Sequence, residues 1–261
     1  MAITHVLFDL DDTLVAEESS AEAAFLATCE HARERYGVDP HALHRAVRER
    51  AREAWFAAPT NAYCQAVGIA SWEGLWARFP GDDPNLKALR RRAPAYRREA
   101  WSRALADFGV RDAPFAERLA SIFPAERRAR HVVFPDVEDT LVALHGSWRL
   151  AILTNGTPGL QREKIAGSGL AHYFDAVTVA GEVGVGKPDP RAFSAALEAA
   201  GARPGQTVMV GDNLRRDVQG AQQAGMRAFW LNRTGRKPEL DVMPDAEMTA
   251  TSELPALLRR G

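Results

Sequence analysis

The sequence predicts an α/β fold: a parallel sheet wrapped by helices on both faces, with an all-helical lobe inserted after the first strand. Three observations carry this reading. From about Phe134 onward, short β-rich apolar runs alternate with amphipathic stretches. Gly and Pro punctuate the brief joints between them. From about Ala16 to Arg130, by contrast, no convincing strand can be found.

The first strand is the apolar run Ile3–Phe8, which stops abruptly at Asp9-Leu10-Asp11-Asp12-Thr13. Side chains alternate along a strand, so Asp9 and Asp11 leave its end on the same side. Two like charges that close favour a bound cation, a shared proton, or both. A plain acidic turn is the alternative this segment alone allows. The lobe that follows is rich in Ala, Arg, Glu and Trp, with helical spacing at Ala42, Leu43, Ala46, Val47 and Arg50. Turn signals at Gly37–Pro40, Pro59-Thr60, Phe79–Pro84 and Gly109–Pro114 divide it into four to six helices.

Arg149–Thr154 reads as a buried strand, and Thr157 is placed to cap the helix after it, with Pro158 in the first turn. Ala176–Ala180 is the next strand. Asp189-Pro190 opens a helix over Arg191–Ala200, which Gly201 closes. Thr207–Val210 is a strand, Arg215–Ala224 a helix ending at Gly225, and Arg227–Leu231 a further strand.

Bulk properties exclude several classes of partner. The 261 residues are 46% hydrophobic and 26% charged, as in ordinary globular proteins. A formal net charge of −1 offers no basic field for nucleic acid or an anionic membrane. Cys29 and Cys64 lack CxxC spacing and are too few for a disulfide framework, which fits reduced thiols in a cytosol. Asp9 interrupts the first apolar stretch before a signal-peptide core could form. No apolar run reaches the roughly 18 residues of a spanning helix. A soluble cytoplasmic monomer or homodimer is expected.

In an open parallel sheet, ligands bind beyond the carboxyl ends of the strands. The first strand ends in Asp9–Thr13 and the second in Thr154-Asn155-Gly156. The loop Gly181–Pro190, carrying Lys187, follows the third, and Gly211-Asp212-Asn213 follows the fourth, with Asp217 just beyond. Residues from Asp9 to Asp217 therefore converge on one rim. The set is chemically consistent. A carboxylate can attack phosphorus through an aspartyl-phosphate. A second carboxyl two residues on can protonate the leaving oxygen and then deprotonate water. Asp212 suits Mg²⁺, which prefers oxygen ligands. Thr154 and Lys187 offer a hydroxyl and a point charge for phosphate oxygens, and backbone N–H groups after the first two strands can complete the cradle. Asp217 is placed to orient Lys187 or a metal-bound water. Asp12 and Glu182 read as solvated turn residues, and His5, His131, His145 and His172 lack ligand spacing.

These residues resemble the haloacid dehalogenase superfamily of phosphohydrolases. Phe8–Leu14 (FDLDDTL) is similar to its first motif, Thr154 to its second, Lys187 to its third, and Gly211–Asp217 (GDNLRRD) to its fourth. The resemblance implies Asp9 as nucleophile and Asp11 as general acid/base. It implies Mg²⁺ held by Asp9, Asp212 and the backbone carbonyl of Asp11, with Thr154, Asn155 and Lys187 on the substrate. It also implies a Rossmann-like core over 1–15 and 131–261 and a helical cap over 16–130 that sets substrate specificity. Within the superfamily, Leu153–Gly235 is similar to the N-acylneuraminate-9-phosphatases and pyrimidine nucleotidases through LTNG, LQREKI, YFDAV, KPDP and VMVGDNLRRDVQGA. Dehalogenases of the superfamily usually carry an aromatic residue where this chain has Asp11. The expected activity is thus a Mg²⁺-dependent phosphatase for a small phosphorylated metabolite. A phosphomutase, a 2-haloacid dehalogenase and a non-catalytic binding protein are the alternatives. In the lobe, Trp55, Phe56, Tyr63, Trp72, Trp76, Tyr96 and Trp101 are expected mainly in helix packing, and Arg90–Arg92 with Arg97-Arg98 on a solvated face.

Overall fold

The computed structural model describes residues 2–238 and 241–260, so Met1, Glu239, Leu240 and Gly261 of the expected core lie outside the described residues. The chain divides into two compact units, Met1–Ala16 with Val132–Gly261, and Glu17–His131. The first unit is built on six strands: β1 (His5–Phe8), β2 (Arg149–Thr154), β3 (Ala176–Val179), β4 (Thr207–Gly211), β5 (Arg227–Leu231) and β6 (Ala246–Met248). All neighbours pair in parallel, in the order β3-β2-β1-β4-β5-β6. The chain first builds outward from β1 through β2 to β3, then crosses to β4 on the other flank. This reversal leaves a crevice at the carboxyl ends of β1 and β4. The short strand β6 carries too little apolar pattern to be read from sequence; it completes the edge beside β5.

The second unit is helical. Its elements are α1 (Glu17–Tyr36), α2 (Pro40–Phe56), α3 (Asn61–Val67), α4 (Pro84–Ala106) and α5 (Ala113–Arg128), with one 3₁₀ turn at Trp72–Leu75. Asp39, Asp83 and Asp112 cap α2, α4 and α5 by accepting backbone N–H groups, each followed within two residues by Pro. Its interior is aromatic: Phe25 stacks on Phe123 at 4.2 Å and on His44 at 4.7 Å, with Trp101 alongside. Trp55, Trp76, Tyr96 and Trp101 are buried, whereas Phe56 is exposed. Of the α4 arginines expected on a solvated face, Arg92 and Arg97 are half-buried instead. Arg90 donates to the carbonyls of Phe79 and Gly81, Arg92 to Ala54 and Arg97 to Ala77. Carbonyls in loops and in the last turn of a helix need donors, and the long guanidinium arms supply them. Arg90, Arg91 and Arg98 are exposed, as expected, with Arg98 opposite Glu117 at 3.6 Å. A fully buried ion pair, Glu17 with Arg127, joins the first turn of α1 to the last turn of α5.

The core helices are α6 (Val137–Leu144), α7 (Pro158–Ser168), α8 (Ala180–Val183), α9 (Pro190–Ala200), α10 (Gly220–Gln223) and α11 (Leu254–Arg260). Period-two alternation sorts the strand side chains onto two faces. Val6, Phe8, Ile152 and Val210 pack with Leu141 of α6, Ile165 of α7 and Leu258 of α11. Leu7, Leu153, Met209 and Trp230 pack with Phe193 of α9 and Ala221 of α10. Burying strand runs on both faces explains their almost continuous apolar sequence. Two local expectations are revised. The stretch read as one helix over Arg215–Ala224 begins as a π-turn, Leu214–Gln219, before α10. Thr157 sits at the N-cap of α7, yet its hydroxyl makes no capping bond and is buried with no hydrogen-bond partner among the described residues.

Candidate active site

Asp9 continues the β1–β4 ladder one residue past the strand, its N–H donating to the Val210 carbonyl at 2.9 Å. The backbone then turns sharply. Asp12 takes φ 56° and its N–H donates to the Val15 carbonyl at 2.7 Å, returning the chain toward the sheet. Asp9 is buried, and its Oδ1 accepts from the Lys187 ammonium at 2.7 Å. Lys187 Nζ also lies 2.7 Å from Asp217 Oδ1. The loop after β3 and the turn after β4 thus meet the end of β1 through one buried cation.

Lys187 is held at its backbone as well. Asn155 accepts from the Lys187 N–H at 2.8 Å and donates to the Lys187 carbonyl at 3.0 Å. Both ends of the Asn155 amide thus engage the Lys187 backbone and help to position the lysine. Gly186 makes this clasp possible, since a Cβ there would stand 2.5 Å from Asn155 Oδ1. Asp217 accepts from the Asn213 N–H at 2.9 Å through its other oxygen. Asp212 is anchored by its own N–H, which donates to the Thr13 hydroxyl at 3.2 Å, and by its carbonyl, which accepts from Trp230 Nε1 at 2.8 Å and Arg236 at 2.6 Å.

On the far side of Asp9, helix α7 supplies two residues that were not anticipated as site members. Lys164 donates to both oxygens of Asp11, at 3.1 and 3.0 Å. Gln161 donates to Asp11 Oδ2 at 3.0 Å and to Thr154 Oγ1 at 2.6 Å. Lys164 and Gln161 are fully buried. They lie three apart on one helical face, a spacing visible in LQREKI, but only the placement of α7 beside β1 reveals what that face meets. Glu182, expected as a solvated turn residue, pairs with Arg162 at 2.7 Å.

The electrostatics are those of an overcrowded anionic cluster. Burial pushes the Asp9 carboxyl well above the usual carboxylate range; Lys187 pulls it back, and Asp217 and Asp212 push it up again. Asp212 is pushed up to about 7, by burial first and then by Asp217 and Asp12. Burial disfavours the Lys187 ammonium, but Asp217 and Asp9 more than offset this and raise its pKa. Asp9, Asp212 and Asp217 each present an oxygen within 4.8 Å of the others. Carboxylate oxygens at this spacing, with one ammonium to balance them, form a donor set that fits a hard divalent cation.

Fold and cluster together define an enzyme of the parallel α/β class with its polar centre at the carboxyl edge of the sheet. A family profile described as haloacid dehalogenase-like hydrolase matches residues 3–225. The chain belongs to this family, as its motifs indicate. Among its relatives, the phosphoserine phosphatase of Thermus thermophilus is 41% identical over 242 residues, covering 92% of this chain and 93% of that protein. The mouse N-acylneuraminate-9-phosphatase is 36% identical over 163 residues, 61% of this chain and 66% of that protein. Among solved structures, a 2-haloacid dehalogenase from Pseudomonas syringae superposes with a TM-score of 0.61 at 32% identity, covering 99% of each chain. The magnesium-bound HAD-hydrolase YfnB of Bacillus subtilis gives a TM-score of 0.68 at 20% identity over 99% of each chain, a likeness of fold. Among the described residues, no helix is long and apolar enough to cross a membrane.

Proposed function

We propose that the protein is a cytosolic, Mg²⁺-dependent phosphatase for a small phosphorylated metabolite, working through an aspartyl-phosphate on Asp9. The observation that carries this reading is the pairing of Asp9 with Lys187 beside a separately held carboxyl at Asp11. Asp9 Oδ1 is engaged by the ammonium, which leaves Oδ2 to attack phosphorus. Lys187 and the Thr154 hydroxyl neutralise and bind the phosphoryl oxygens. As the ester P–O bond breaks, Asp11 gives its proton to the leaving oxygen. It then takes a proton from water as that water attacks the phosphoryl group and frees Asp9. Asp9, Asp212 and the Asp11 carbonyl would hold the cation, which when bound lowers the repulsion between an anionic nucleophile and an anionic substrate. Asp217 keeps Lys187 in place. The unit Glu17–His131 acts as the cap that discriminates substrates.

The dehalogenase likeness favours a second reading, carbon–halogen cleavage by the same Asp9. That reaction releases halide, which needs no proton, and so leaves Asp11 without the first of its two tasks, protonating the leaving oxygen. The test is phosphate release with Mg²⁺ from a panel led by O-phosphoserine, chosen for the 41% relative, with acylneuraminate 9-phosphate, nucleoside monophosphates, sugar phosphates and phosphoglycolate. Halide release from 2-chloropropionate runs alongside. Phosphate release from at least one compound supports the proposal, and halide release without phosphate release would reverse it.

A further inference from the structure

Asp11 is held more firmly than a surface turn carboxylate would be. Its two oxygens accept three hydrogen bonds, one from Lys164 to each and one from Gln161 to Oδ2. A carboxylate offers about four lone-pair sites, so these donors leave one, on Oδ1. Lys164 is fully buried. A buried ammonium needs pairing with good geometry, and Asp11 supplies it at 3.0 Å. Gln161 spends one amide hydrogen on Asp11 and the other on Thr154. The spacing between the Asp11 carboxyl and the Thr154 hydroxyl is therefore set by a single rigid amide on α7.

We propose that Lys164 and Gln161 are positioning residues for proton transfer: they lock the plane of the Asp11 carboxyl so that Oδ1 handles the proton of the leaving group and of the attacking water, and they tie this carboxyl to the phosphate-binding hydroxyl of Thr154. The inference rests on the phosphatase reading above. It separates these residues from Lys187, which faces Asp9. Removing Lys164 should loosen the group that moves protons while sparing the group that attacks phosphorus.

4-Nitrophenyl phosphate with Mg²⁺ distinguishes the two steps. Nitrophenolate leaves without a proton, so forming the phospho-enzyme makes no demand on Asp11, whereas hydrolysing it does. Lys164→Met should slow steady-state turnover by about 10- to 100-fold, the scale of an ångström-level misplacement. The rapid first release of nitrophenolate should stay within about threefold of the wild-type rate, appearing as a burst stoichiometric with enzyme. The burst amplitude counts folded, competent molecules, so a loss through misfolding is visible as a missing burst. Should that variant not fold, Gln161→Leu carries the same test and should give the same pattern more weakly. Turnover equal to wild type, or burst and turnover falling together in folded protein, would overturn the positioning role. A wild-type enzyme that releases no nitrophenolate at all would instead overturn the phosphatase reading beneath it.

Discussion

Gly211 and Asp217 are in such close approach that a methyl group on Gly211 would stand 2.3 Å from the Asp217 carboxyl carbon. The last residue of β4 is thus the floor on which the carboxylate pairing with Lys187 rests. Gly211→Ala must push Asp217 aside, and Lys187 with it. Overpacking of this kind costs about 1–3 kcal/mol, and a misplacement near an ångström can cost about 100-fold in rate. The variant should fold with a lowered melting temperature and lose activity far beyond what its stability loss explains. Thermal denaturation and phosphate-release kinetics on the same sample check this.

Asp9→Asn removes the attacking oxygen and should abolish turnover while leaving the fold intact. Asp11→Asn keeps the nucleophile but forfeits proton transfer, and should slow turnover by about 10²–10⁴-fold. Full activity of the Asp9 variant, once deamidation back to Asp is excluded by mass spectrometry, would remove Asp9 from the nucleophile role.

Chelation by EDTA should stop the enzyme and added Mg²⁺ should restore it. Because burial, Asp217 and Asp12 push the Asp212 carboxyl up to about 7, protons compete with the cation below that pH. Apparent Mg²⁺ affinity should fall as pH drops from 7 toward 5, with proton release on binding measurable by calorimetry in two buffers. The linkage sign is fixed. A carboxyl whose folded pKa is raised holds its proton in the folded state while the unfolded chain has lost it. Metal-free stability should therefore decline as pH rises from about 4 to about 7, and Mg²⁺ should flatten that slope.

Glu17 and Arg127 form a buried ion pair, the Arg127 side chain 1% exposed and that of Glu17 5%. Breaking a buried pair by removing one partner costs about 3–5 kcal/mol. Arg127→Met should be strongly destabilising in urea, and Glu17→Leu combined with it should recover much of the loss.

Much of this was legible from residue order alone. The apolar run before Asp9, the cap-and-proline pair at Asp189-Pro190 and the glycines closing α9 and the segment before β5 are local signals, each set by backbone chemistry within a few residues. Asp189 does accept from the Arg191 N–H at 2.9 Å, and Gly201 takes φ 63°. Weaker local grammar misled. Thr157 has the right type and place for a cap but makes no cap bond, and nothing in the Arg-rich run of α4 distinguishes arms reaching into water from arms reaching backbone carbonyls.

The amino-acid order by itself determined which chemical groups stand at the ends of the parallel strands, because strand ends and turns obey short-range rules. Which of them touch was decided only by the three-dimensional packing. Lys164 meets Asp11 across a chain separation of 153, and Asn155 clasps Lys187 across 32. Contacts of that kind depend on which face a helix turns toward the sheet, a choice made by the burial of its whole apolar side rather than by the polar residues that end up in the site.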